Sequence, residues 1–237
     1  MAEMTDSALG CLPGVLISPG KTFRAIAAKP SWGIALIVLI LSGVGVGLLA
    51  APRTDFEDII RQATAKSGRE IPQEQLDKQI AFMQKARTPL MVAGAFVAPI
   101  FYCLLALLPW VALKLLGSEI DYRQSLSVVV HSFMPAVVVA LLSIPVILSR
   151  PSWGFEDLRD NSYLASSLAA VAGTPDTPAP LYTLLASLDF FSLWTLVLLI
   201  LGYREVGKVS TAKAAGTMIA LWLVFVGVKV GWAALFS

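Results

Sequence analysis

Apolar positions fall in long blocks separated by polar stretches, and the blocks predict helices that cross a bilayer. A spanning helix needs about 20 mostly apolar residues, because each adds about 1.5 Å through a hydrocarbon layer near 30 Å thick. Segments 33–51, 89–116, 125–149 and 215–236 meet that length. Segment 181–201 joins them once Asp189 is accepted inside it. Only helices satisfy their own backbone polar groups in lipid at this segment length. The pattern therefore predicts an all-α polytopic integral membrane protein, with five transmembrane helices in one membrane domain over 1–237. Segment 89–116 is too long to cross straight, and Pro99 and Pro109 within it predict tilt, kinks or protrusion. Pro135 and Pro145 predict bends in segment 125–149.

Shorter patterns predict helices outside the lipid. In 54–87, Thr54 and Glu57 stand at capping-box spacing ahead of an apolar stripe of Phe56, Ile59, Ile60 and Ala63. Gly68 suits the end of that helix, and Pro72 opens a second with Leu76, Ile80 and Met83 on one face. Two short amphipathic helices would form an external cap, packed on the spans or at the headgroups, or serving as a docking surface. Before the first span, segment 13–32 holds a helix starting at Ser18-Pro19, with Phe23 and Ile26 on one face and Lys21, Arg24 and Lys29 elsewhere. That arrangement suits an amphipathic helix lying on an anionic cytoplasmic surface, or a recognition element, with Trp32 at the aromatic belt. In 150–180, Pro175, Pro178 and Pro180 forbid regular structure at the end, while Tyr163 to Val171 suits a short surface helix.

Composition agrees with a membrane solvent: 57% of the residues are apolar and 14% charged, against roughly 25% charged in soluble domains. No basic run interleaved with aromatics occurs, which argues against a nucleic-acid partner. Cys103 reads as a small hydrophobe within a span. Cys11 is preceded by Glu3 and Asp6 rather than an apolar run, so it does not read as an acylation site. Lys21, Arg24, Lys29, Lys114, Arg123, Arg204, Lys208 and Lys213 fall on one side, which the positive-inside rule assigns to the cytoplasm. The N-terminus is then cytoplasmic and the C-terminus opposite. Loop 52–88, outside in this scheme, carries basic and acidic residues nearly in balance and weakens the assignment.

Ionisable groups inside spans are costly and call for a partner or an exit. Asp189 and Lys229 share a depth on adjacent antiparallel helices, which makes a direct or water-mediated pair one expectation; separate escape of each toward the interface is the other. His131, the single histidine, suits either a hydrogen bond to a neighbouring helix or a proton path. Gly43 with Gly47, and Gly227 with Gly231, have the spacing that lets helices approach closely, within the chain or between two copies. No metal set, phosphate loop, nucleophile elbow or zincin helix is present, so the chain reads as non-enzymatic, with no cofactor.

Two stretches resemble the Yip1-domain family of five-span membrane proteins. One is Pro19-x-x-Thr22-Phe23-x-x-Ile26 leading to Lys29-Pro30-x-Trp32. The other is Asp189-Phe190-Phe191-x-x-Trp194-x-x-Val197-Leu198, continuing through Gly202 to Ser210-x-x-Lys213-Ala214. The resemblance implies a cytoplasmic N-terminus and five spans. It is closest in form to compact bacterial members, which implies the bacterial inner membrane. Eukaryotic members are associated with small GTPases and vesicle traffic, but this chain lacks their long N-terminal domain. The resulting expectation is a non-enzymatic membrane protein acting through protein partners, a second copy, lipids or membrane organisation. A small transporter or channel using Asp189, Lys229 and His131 is the alternative.

Overall fold

The computed structural model describes residues 7, 9–66, 72–155, 157, 163–174 and 176–235. Among them every regular element is a helix: α1 (Cys11–Ile17), α2 (Pro19–Ala28), α3 (Gly33–Ala50), α4 (Phe56–Lys66), α5 (Gln73–Leu115), α6 (Tyr122–Ser132), α7 (Pro135–Leu148), α8 (Leu168–Ala172), α9 (Ala179–Ser187), α10 (Phe190–Val206) and α11 (Thr211–Leu235). Four legs are long and apolar enough to cross a membrane: Gly33–Arg53, Val92–Leu115, Tyr122–Leu148 and Thr211–Leu235. α10, with 17 residues, runs against α11 as a further leg of about 26 Å.

The α6–α7 leg lies at the centre, with 56% of its apolar window buried; the other three long legs bury only 11–22% and turn their remaining apolar surface outward. Exposed Leu41, Phe96, Leu104, Val224 and Val228 are what a helix bathed in lipid requires. α6 and α7 are separated at Phe133 and Met134, and Pro135 stands at the first turn of α7, where its missing N–H costs no helical bond. The bend expected at Pro135 is therefore a break.

One face of the bundle carries α1, α2, the α5–α6 connection and the α10–α11 turn; we call it the near face. Val15, Leu113, Ile120 and Tyr203 are fully buried there. Phe23 and Ile26 of α2 are fully buried, and α2 packs on α6 and α10. Burying each such side chain contributes about 1.5–3 kcal/mol. The apolar face expected to lie on lipid is thus covered by protein, because α10 presents Gly202 to it: a Cβ there would stand 2.9 Å from Phe23 Cε1 and 2.6 Å from Val128 Cγ1. Hydrogen bonds lock the same layer. Ser125 Oγ donates to the Ala106 carbonyl (2.8 Å) and lies 2.7 Å from Tyr203 Oη, while Ser118 Oγ donates to the Gly207 carbonyl (2.7 Å). α5 ends in a Schellman turn: Gly117, at φ +85, donates to Lys114 O (3.0 Å), and Ser118 N donates to Leu113 O (2.9 Å).

The opposite, far face carries a projecting hairpin. α5 is one 43-residue helix through Pro89, Pro99 and Pro109, so the second cap helix does not end before the span but continues into it. With Val92–Leu115 in the apolar layer, Gln73–Met91 stands about 28 Å beyond it. α4 packs along this extension, and Leu76 is buried between them. Asp55 rather than Thr54 caps α4, accepting from Asp58 N (3.0 Å), while Thr54 Oγ1 turns back to Ala50 O. Gly68 lies outside the described residues. The foot of the hairpin is tied to the α7–α8 connection: Trp153 N donates to Arg53 O (2.8 Å), Asp55 N to Trp153 O (3.0 Å), and Phe155 N to Asp58 Oδ2 (2.8 Å). In that connection the helix starts only at Leu168; residues 163–167 before it are not helical.

Candidate functional site

Sequence segment 181–201 does not form one helix. α9 stops at Ser187, Asp189 is extended (φ −108, ψ 141), and α10 begins at Phe190. A helix broken at the far edge of the apolar layer leaves backbone groups that need partners. Here the α7–α8 connection supplies them: Leu168 N donates to Leu188 O (3.1 Å) and Phe190 N to Ser166 O (3.1 Å). The Asp189 carboxylate takes the N-cap role, with Oδ1 accepting from Ser192 N (2.9 Å) and Oδ2 accepting a short bond from Ser166 Oγ. Counted along α10, Asp189 stands roughly 26 Å from the near end.

Lys229 on α11 is at the same level, roughly 27 Å from the near end of that helix. Its Nζ donates to Ser187 Oγ (3.4 Å) and lies 5.7 Å from the centroid of the Phe225 ring. Asp189 and Lys229 therefore meet the same break from two sides without a direct ion pair. The physical reason is local: the broken helix turns the carboxylate into its own cap and toward Ser166, which satisfies two of the oxygen sites the ammonium would have used.

Beneath this rim lies a partly open cavity of about 420 Å³ between α5, α6–α7, α10 and α11. Its wall is apolar, with Leu105, Phe133, Leu196 and Trp222 among its lining; Asp189, Ser192 and Thr195 are its polar groups. It reaches about 12 Å along α10, from Phe191 to Leu199. His131 lines no part of it. The imidazole is buried at 1% exposure, with Nδ1 2.8 Å from the Ser127 carbonyl of its own helix, on the side of α6 away from Val129 and Phe133. The three polar candidates are thus not brought together. Gly43, Gly227 and Gly231 also depart from close packing: a Cβ at each would meet no neighbouring atom within 4 Å. They face outward, where no helix of the chain approaches. Among the described residues, no three His, Cys, Asp or Glu side chains gather as a metal site would need.

Sequence reasoning missed Ser166, Ser187 and the aromatic wall of Phe225 and Trp222. Ser166 sits in a polar connection 23 residues before its partner, and nothing in its neighbours marks it. The breaking of a helix at an Asp with a polar residue three positions on was a legible capping signal, but it stood inside an apolar run.

Comparison with known proteins decides the family. The Yip1 domain matches residues 14–232, from α1 to the last turns of α11. The chain belongs to the Yip1 domain family. Among curated proteins it is similar to "Membrane protein YknW" of Bacillus subtilis (strain 168), at 26% identity over 215 residues, covering 89% of this chain and 83% of the relative. No solved structure matches. The match places this chain among integral membrane proteins and indicates no enzymatic family. Within the Yip1 domain of this chain, the near-face layer around Phe23 and Gly202 and the far-face break at Asp189 occupy the two ends of one helix, α10.

Proposed function

We propose that this Yip1-domain protein acts without chemistry of its own, holding a protein partner at the membrane through the hairpin of α4 and the projecting part of α5. The observation that carries the reading is the continuity of α5: one helix passes from the lipid layer into a stalk, so the stalk's orientation is fixed by the bundle. Phe82 on that stalk is 67% exposed, about 15 Å beyond the start of the apolar leg at Val92. At the foot, Arg53, Glu57 and Gln84 line a polar hollow of about 300 Å³. A photo-crosslinking residue at Phe82 should give one reproducible adduct in membranes, and the same residue at Val224 on α11 should not give that adduct. A stalk that crosslinks to nothing, in a protein that is monomeric in mild detergent, would remove the reading.

A second reading, transport or conduction, is supported by the cavity with Asp189 at its rim. Flux through proteoliposomes tests it. Absence of flux, or flux untouched by Asp189→Asn, Lys229→Met and His131→Gln together, would end it.

A further inference from the structure

The cavity under the α9–α10 break is partly open and almost wholly apolar, and its chemistry selects an occupant. Its walls accept an alkyl chain, and its extent of about 12 Å along α10 is close to half of a hydrocarbon layer about 30 Å thick, the share of one leaflet. At its far end stand Asp189, which lines it, and Lys229, whose ammonium lies over the lining Phe225; the two form no direct ion pair. Asp189 uses two of roughly four acceptor sites on its carboxylate, leaving oxygen lone pairs for an external donor. Lys229 spends one weak bond, of 3.4 Å, on Ser187 and rests over Phe225, itself part of the cavity wall. Both charges sit at the far end of the apolar legs, at headgroup level.

We propose that the cavity is a binding site for one zwitterionic aminophospholipid. Its acyl chain fills the cleft between α5, α6–α7, α10 and α11, its amine donates to Asp189, and its phosphate accepts from Lys229. An anionic phospholipid would satisfy Lys229 and leave Asp189 facing a like charge; a diacylglycerol would satisfy neither. This site is independent of the stalk and of any partner there.

Trp222 lies in the wall and reports occupancy. Purified protein in maltoside micelles is titrated with phosphatidylethanolamine carrying brominated acyl chains, which quench tryptophan on contact. The expected result is a saturable component of quenching that Trp222→Phe abolishes. Brominated phosphatidylglycerol should bind roughly tenfold more weakly, the scale of one charge-assisted contact. Asp189→Asn should erase that preference, and Lys229→Met should weaken both phospholipids while leaving brominated diacylglycerol unchanged. Ala136→Phe places a ring in the open part of the wall, where a larger side chain leaves the core alone; it should remove the saturable component without lowering thermal stability. Quenching that never saturates, or that is equal for all three lipids, would overturn the proposal, as would a preference that survives Asp189→Asn in a folded protein.

Discussion

The smallest feature on which the near face depends is the missing side chain at Gly202. A methyl there would collide with Val128 Cγ1 and with the Phe23 ring, both already buried, so neither can step aside into solvent. Gly202→Ala should cost about 1–3 kcal/mol, the range for overpacking a filled core, read as a lower melting temperature in detergent. Phe23→Ala should cost about 3–5 kcal/mol through the cavity it leaves. The two sites touch, so their effects should not add: Phe23→Leu, with a smaller side chain, should recover part of the loss in the Gly202→Ala background. An additive double variant would mean that the methyl is relieved elsewhere. Both residues belong to the stretches that resemble the Yip1 domain, yet neither stretch says that they meet. That contact exists because α10, with no side chain at Gly202, offers the apolar face of α2 a groove that Phe23 fills.

At the level of elements, the sequence disclosed what depends on length and apolar content and withheld what depends on neighbours. The four long apolar legs are visible as blocks, because a bilayer imposes a length on any helix that crosses it. The fusion of the cap with the second span was hidden, since the cap pattern gives way to the apolar block at Pro89, a residue type that ordinarily interrupts a helix but here lies inside α5. The break before α10 was hidden for the converse reason: it is stable only because Ser166 and its backbone pair with the exposed groups from another loop. The tie between stalk and bundle has an acid-sensitive element. Asp58 lies below the usual carboxylate range, first because Phe155 N–H donates to it and then because of Gln62. A lowered folded-state pKa means the stabilisation is present above the unfolded-state value and is lost as pH falls through the folded one. Protection of the Phe155 amide against hydrogen exchange, normalised to its intrinsic rate, should therefore hold at neutral pH and decline once the pH drops below the ordinary aspartate range. In Asp58→Asn that decline should be absent and the protection lower throughout.

For the molecule as a whole, the distribution of charge sets the side on which each face lies. The near face gathers Lys21, Arg24, Lys29, Lys114, Arg123, Arg204, Lys208 and Lys213 around Glu119, Asp121 and Glu205, whereas the far face mixes both signs along the stalk. Short, basic connections are held in the cytoplasm, and longer mixed ones are exported with less regard to charge. The balanced loop 52–88, which obscures the sequence pattern, belongs to a folded hairpin rather than to a short flank, so its basic residues bear little on orientation. The near face should then be cytoplasmic and the stalk external, with the chain's two ends on opposite sides. This can be read by single cysteines in a background where Cys11 and Cys103 are serine. Gln84→Cys on the exposed stalk should react with a membrane-impermeant maleimide in intact cells. Gly20→Cys and Ser210→Cys should react only after the membrane is opened. Reaction of all three from outside would contradict the crossing by α3 between Gly20 and Gln84, and the reverse pattern would mean that the basic near face is exported.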